Sequence, residues 1–123
     1  MRILLVDDNA TVRRGIRSLL SERPEWSVCA EAADGVEAVE KAKELRPDTV
    51  LMDVSMPRMD GLQATRIIRR DLPHTKVIII SQNDPSLVSQ QANEVQANGF
   101  VSKAELPVKL LSIIEKIMPD RAG

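Results

Sequence analysis

Arg2-Ile3-Leu4-Leu5-Val6-Asp7-Asp8-Asn9 is the stretch from which the fold can be read. Four consecutive apolar residues without polar alternation describe a strand covered on both faces, and the run stops on two carboxylates. The pattern recurs. Short apolar runs at residues 3–6, 28–33, 49–52, 77–80 and 100–101 read as five strands. Helical spacing fills the gaps: Val12, Ile16, Leu19 and Leu20; Ala38, Ala42 and Leu45; Ala64, Ile67 and Ile68; Leu110, Ile113, Ile114 and Ile117. The fourth helix, starting near Pro85, is the weakest, since only Val88, Ala92 and Val95 hold a face among Ser89, Gln90, Gln91, Asn93 and Gln96. Punctuation agrees. Asp34-Gly35 turns into a helix, Pro47 closes one, Asp84-Pro85 is an N-cap followed by proline at the first helical position, and Asn98-Gly99 precedes the last strand. Strand–helix alternation five times over predicts an α/β domain: a five-stranded parallel sheet, doubly wound, with five helices on its two faces.

The length of 123 residues suits one domain with a real core. Seventeen basic against eighteen acidic residues give a net charge of −1, so no overall positive field favours nucleic acid. Cys29 is the single cysteine; it has no partner for a disulfide within the chain and reads as a small buried core residue. The chain enters strand-like sequence at once, with no apolar region before a small-residue cleavage site, and no run approaches the roughly 18 apolar residues that span a bilayer. A cytoplasmic location without membrane contact is therefore the expectation. Residues 1–118 are expected to form the domain, and residues 119–123 a fraying tail or the stub of a linker.

In open parallel sheets, ligands bind beyond the carboxyl ends of the strands. Here those ends carry Asp7-Asp8, Asp53, Ser81 and Lys103, from four of the five strands. Any one of them has an ordinary reading: Asp8 as a cap for the helix near residues 9–11, Ser81 as a turn residue. The set is harder to explain that way. Two carboxylates about 4 Å apart repel by about 4 kcal/mol at an effective dielectric of about 20, so three converging carboxylates need counter-charge. Lys103 supplies part of it. A hard divalent cation such as Mg²⁺, which takes oxygen ligands, supplies the rest. A nucleophilic carboxylate, a Lewis acid, an ammonium and a hydroxyl donor are the parts needed for phosphoryl transfer to an aspartate.

Asp7-Asp8, then Met52-Asp53-Val54-Ser55-Met56-Pro57 with Asp60-Gly61, then Ser81, then Gly99-Phe100-Val101-Ser102-Lys103, resembles response-regulator receiver domains over nearly the whole chain, and in detail those of NarL/LuxR-type regulators. The resemblance implies a flavodoxin-like strand order 2-1-3-4-5 and a phosphorylation-dependent switch in two-component signalling, not an enzyme acting on outside substrates. It implies Asp53 as phosphoacceptor for a sensor histidine kinase. Mg²⁺ would be held by Asp8, Asp53 and the backbone carbonyl of Ser55, with Asp7 acting through water. Lys103 would pair with the phosphate. Ser81 would donate its hydroxyl to it, and Phe100, otherwise a core-packing residue, would turn inward as Ser81 moves. The face of the fourth helix, fifth strand and fifth helix would carry output, including a homodimer. DNA would be reached only through a separate output domain.

Three positions depart from the family's pattern. Gln82 replaces the usual small residue after Ser81, Gln96 stands where glycine is frequent, and Ala104 rather than proline follows Lys103. Arg58 and Asp60 read as solvated loop residues and His74 as an exposed loop residue. An aspartate-nucleophile phosphatase of the haloacid-dehalogenase type is disfavoured because Ser55 stands where its second acid is required. A nucleotide-binding domain would need a glycine loop where Asp7-Asp8-Asn9 lies. The remaining alternative is a receiver fold used for partner contact with weak or no phosphorylation.

Overall fold

A computed structural model of the protein describes residues 1–118, so the expected tail at residues 119–123 lies outside the described residues. Five strands alternate with five α-helices: β1 (Arg2–Val6), α1 (Ala10–Leu20), β2 (Ser27–Ala32), α2 (Gly35–Leu45), β3 (Thr49–Asp53), α3 (Gly61–Asp71), β4 (Lys76–Ser81), α4 (Pro85–Glu94), β5 (Gly99–Ser102) and α5 (Leu106–Ile117), with a 3-10 turn at Lys103–Glu105 before the last helix. All strands are parallel, in the order β2-β1-β3-β4-β5. The expected α/β fold and strand order are therefore those observed.

The apolar runs split between two cores because successive side chains on a strand face opposite ways. Leu4, Val6, Val50, Met52, Val77 and Ile79 pack under α2, α3 and α4. Ile3, Leu5, Leu51, Ile78, Ile80 and Val101 pack under α1 and α5. The uninterrupted runs reflect these two covered faces. The weak fourth helix buries Val88, Ala92 and Val95, the three residues that hold its face. Its N-cap is Asp84, whose Oδ1 accepts from Ser86 N at 2.9 Å, with Pro85 at the start.

Two sequence expectations are corrected. Cys29 is only partly buried. The register between β1 and β2 slips after Ile3, so that Val28 pairs with Ile3 and Ala30 with Leu4, leaving Cys29 as the extra residue of a bulge on an edge strand. Phe100 is 36% exposed. Its strand partner Ile79 faces the α4 side, but β5 is the sheet's last strand and α4 leaves the ring on the rim of an apolar groove with Pro85, Ile113 and Ile117. The Lys103–Ala104 bond is trans.

Gln96 does occupy a left-handed position, with φ of 60°, just past the end of α4. A side chain is strained there and glycine is not. Arg69 Nε binds the Gln96 carbonyl at 3.1 Å, a contact that survives loss of the side chain. Gln96→Gly is expected to stabilise the domain by about 0.5–1 kcal/mol, raising the melting temperature by about 3 °C. An unchanged or lower melting temperature would show that the glutamine side chain contributes more than the strain removes.

Candidate functional site

The four strand-end groups meet at one edge of the sheet. Asp7 and Asp8 leave β1, Asp53 ends β3, Ser81 ends β4 and Lys103 follows β5. Neighbouring parallel strands end at the same level, which brings the groups together: Val6 pairs with Met52, Asp53 with Ile80, and Ser81 with Ser102. Asp8, Asp53, Ser55, Ser81, Gln82, Asn83 and Lys103 line a polar cleft of about 250 Å³.

The carboxylates differ in setting. Asp7 is 1% exposed and Asp53 3%, whereas Asp8 is open to solvent. Asp8 is not the helix cap. Asn9 is, its Oδ1 accepting from Thr11 N at 2.8 Å and Val12 N at 3.1 Å, which leaves the Asp8 carboxylate free of capping. Asp7 Oδ1 accepts from Asn9 N at 2.8 Å. Lys103 Nζ lies 3.1 Å from Asp7 Oδ2 and 3.3 Å from Asp53 Oδ1. The contact to Asp7 Oδ2 is ionic rather than an aligned hydrogen bond, so this buried oxygen lacks a hydrogen-bond partner.

Burial, then the nearby charges of Asp7 and Asp8, push the Asp53 carboxyl up to about 6 against the opposing pull of Lys103. Burial alone would lower the Lys103 ammonium, but its close contact with Asp7 and the charges of Asp53 and Asp7 outweigh burial and raise it. Lys103 thus answers Asp7 and Asp53, Asp8 adds a third carboxylate, and among the described residues the cluster is short of positive charge. Oxygens of Asp7, Asp8 and Asp53 lie within 4.8 Å of one another, an all-oxygen donor set of the kind that suits a hard divalent ion. With the orphaned Asp7 oxygen, this set fits Mg²⁺.

The loop from β3 into α3 closes the site from one side and depends on close backbone approach. Gly61 N donates to the Val54 carbonyl at 2.8 Å, and a Cβ on Gly61 would fall 1.9 Å from the Asp53 carbonyl oxygen. Arg58 and Asp60 are not merely solvated. Asp60 caps α3 through Gln63 N at 2.9 Å, and Arg58, at φ of 65°, donates from Nε and Nη2 to Asp34 Oδ2 at 3.0 and 2.7 Å. Asp34 is the N-cap of α2, so the pair ties this loop to the neighbouring one. Asp60 three residues before Gln63, ahead of an apolar-periodic segment, is a capping signal present in the sequence; the Arg58 pairing joins two loops and has no such local signal.

Ser81 is buried, and its Oγ accepts from Asn83 N at 3.1 Å. The turn-residue reading is therefore correct, and the hydroxyl proton stays free to donate. Gln82 is exposed at the cleft's edge and His74 is exposed in its loop. Sequence reasoning missed Arg13, whose guanidinium donates to the Asp7 carbonyl behind the site. No helix among the described residues is long and apolar enough to cross a membrane.

Comparison with known proteins agrees with this arrangement. The family model described as "Response regulator receiver domain" matches residues 3–115. The transcriptional regulatory protein LnrK of Bacillus subtilis is 43% identical over 123 residues, covering 100% of this chain and 54% of LnrK. The chain thus spans about half the length of that relative. A LuxR-family two-component response regulator from Aurantimonas superposes with a TM-score of 0.88 at 40% identity, over 94% of this chain and 83% of that one. A chain of the CheX–CheY–BeF3–Mg²⁺ complex from Borrelia burgdorferi also gives a TM-score of 0.88, at 27% identity over 98% of this chain and 90% of that one. An acidic cluster answered by one lysine, on a 2-1-3-4-5 sheet whose sequence matches along nearly its whole length, places the chain in the response regulator receiver domain family, the regulatory switch domain of two-component systems.

Proposed function

We propose that this domain accepts a phosphoryl group on Asp53 from a sensor histidine kinase, with Mg²⁺ as cofactor, and changes its output surface in response. The observation that carries this reading is Asp53 itself: a buried carboxylate at a strand end, 3.3 Å from Lys103, on the wall of a cleft also lined by Asp8 and Ser81. In the transfer, an Asp53 carboxylate oxygen forms a bond to phosphorus. The bond from phosphorus to the kinase histidine nitrogen breaks, its electron pair leaving with the nitrogen. Asp8, Asp53 and the Ser55 carbonyl would hold Mg²⁺, with Asp7 contributing through water. The ion, when bound, neutralises charge on the phosphoryl oxygens. Lys103 holds its proton and pairs with the phosphate, and Ser81 donates its free hydroxyl proton to it. The Borrelia burgdorferi complex, which carries BeF3 and Mg²⁺ by description, supports a site of this type.

The output face belongs to α4, β5 and α5. Leu87 on α4 and Phe100 on β5 are exposed apolar residues there, available to a second copy of the domain. Phe100 would turn inward as Ser81 engages the phosphoryl group. DNA contact is assigned to a separate output domain, and the cytoplasm is the proposed location.

Intact-mass measurement after treatment with an acyl phosphate donor tests the acceptor. Wild type with Mg²⁺ should gain one phosphoryl group; the same protein in EDTA, and Asp53→Asn with Mg²⁺, should gain none. Equal uptake by wild type and Asp53→Asn would refute the assignment, and no uptake by any form would favour a pure interaction module.

Gln82 adds a long amide where the cleft opens to solvent. Across that opening it hinders both the donor and an attacking water. Gln82→Ala is expected to speed phosphorylation by small donors and to shorten the lifetime of the aspartyl phosphate, each by about tenfold, equivalent to about 1.4 kcal/mol of barrier. If both rates match wild type, Gln82 is a surface residue without influence on the site.

A further inference from the structure

The Asp7–Asp8 peptide is gripped from behind by a side chain that touches neither carboxylate. Arg13, in the second turn of α1, donates from Nη1 to the Asp7 carbonyl and from Nε to Glu31 Oε1, the latter at 2.6 Å. Glu31 is itself held on the edge strand β2. Arg17 Nε donates to its other oxygen, and Lys41 Nζ to its backbone carbonyl. At the preceding peptide, Asp7 N donates to the Ala32 carbonyl at 3.1 Å. Both peptide groups flanking Asp7 are therefore anchored.

This grip acts on Asp8 through covalent geometry. The Asp7 carbonyl and the Asp8 amide share one rigid plane. Fixing the carbonyl oxygen fixes the rotation of that plane and the N–Cα bond of Asp8 within it, which narrows the directions the Asp8 side chain can take. Asp8 needs such help. Its carboxylate is exposed, has no capping task and lines the cleft, so the placing of its backbone bears on its aim. Direct charge is a weaker account, because Glu31 pairs with Arg13 and cancels its field at the site.

We propose that Arg13 is a positioning residue for the cation site: held by Glu31, it orients the Asp7–Asp8 peptide so that Asp8 meets the ion together with Asp53. The inference rests on the reading that the acidic cluster holds Mg²⁺, and it adds a residue that carries no ligand atom. Mg²⁺ tolerates little departure from octahedral geometry, so a small turn of one carboxylate is felt as lost affinity.

Calorimetric Mg²⁺ titration of wild type, Arg13→Gln, Arg13→Lys and Arg17→Gln, with melting in EDTA measured alongside, tests it. Arg13→Gln should weaken Mg²⁺ binding by about tenfold. Arg13→Lys keeps one donor but not the fork that spans Asp7 and Glu31, and should weaken it by about threefold. Arg17→Gln loses a contact to the same glutamate without touching Asp7, and should bind as wild type does. A lowered melting temperature in EDTA with an unmoved Mg²⁺ dissociation constant would make Arg13 a structural residue only and overturn the inference. If Arg13→Gln does not fold, Arg13→Lys decides the matter, and binding equal to wild type overturns it. Wild type indifferent to millimolar Mg²⁺ would overturn the metal reading and this inference with it, whereas wild-type binding matched by both Arg13 variants overturns the inference alone.

Discussion

In metal-free buffer the protein is expected to be more stable at pH 5 than at pH 7.5, by about 1.4 kcal/mol or about 5–6 °C in melting temperature. The reason is Asp53. Its carboxyl is pushed from 3.8 up to about 6 in the folded domain, by burial first and by Asp7 and Asp8 next. Between those values the folded state keeps a proton that the unfolded chain gives up. Stability from this group is thus fully present below 3.8 and is lost as pH rises through about 6. The carboxyls of Glu31, Asp34, Asp71, Asp84 and Glu105 are shifted the other way, down from 4.5 or 3.8, and shed stability only as the pH falls below those values, so they barely act at pH 5. Asp53→Asn should abolish the trend and melt above wild type at pH 7.5, by about 1–3 kcal/mol, because the ionised group that the fold resists is gone. Mg²⁺ should reverse the order in wild type. A cation binds the ionised cluster more tightly, and at a hundredfold excess over its dissociation constant it adds about 2.7 kcal/mol. Scanning calorimetry at the two pH values, in EDTA and in Mg²⁺, reads all of this. A wild-type melting temperature that does not change with pH in EDTA would show that Asp53 carries no such strain.

Gly61→Ala is expected to cost about 3 kcal/mol or more and to disrupt the site as it does so. The glycine does not have a positive φ, so the demand is for space and not for backbone freedom. The added Cβ would lie 1.9 Å from the Asp53 carbonyl oxygen and 2.8 Å from its carbonyl carbon, and backbone cannot step aside as a flexible side chain can. Relief requires the start of α3 to move off β3, which breaks the Gly61 N to Val54 O bond and shifts the loop bearing Ser55. Gly15→Ala is the matched control, because a Cβ there meets nothing within 4 Å. Urea unfolding of the two variants should separate them clearly. A Gly61→Ala protein as stable as wild type would mean that the loop closes less tightly than the backbone contact implies.

Much of this molecule can be read along the chain, and the legible parts share a physical cause. The five strands were visible because burial on two faces leaves no polar alternation in residues such as Val77–Ile80. Helix starts were visible at Asp34 and Asp84 because a cap satisfies local amides within three residues. The site residues were visible because a parallel sheet sends every strand end to one edge, where a carboxylate or lysine is conspicuous after an apolar run. Gln96 was suspect through the family resemblance, since the family often has glycine at that helix end; its positive φ is a finding of the structure. The burial expected of Cys29 and the core packing expected of Phe100 differ from the structure because composition near a strand does not reveal a bulge or the limit of a covering helix. Arg58 is the exposed loop residue its position suggests, but its ion pair is not legible locally because the partner, Asp34, lies 24 residues away.

The sequence by itself determined the strand–helix order, the apolar cores and the inventory of charged groups at the strand ends, since these depend on local periodicity and local hydrogen bonding. Only the tertiary structure decided which carboxylate is buried and which is open. Burial and Coulomb energy depend on distances between groups far apart in the chain. Asp7 and Asp8 are adjacent in sequence and alike in chemistry, yet Asp7 is enclosed against Lys103, 96 positions away, while Asp8 faces the cleft. The same holds for Arg13 and Glu31, brought together across 18 positions behind Asp7. Such pairings follow from how α1 lies on the edge of the sheet, which no window of residues contains.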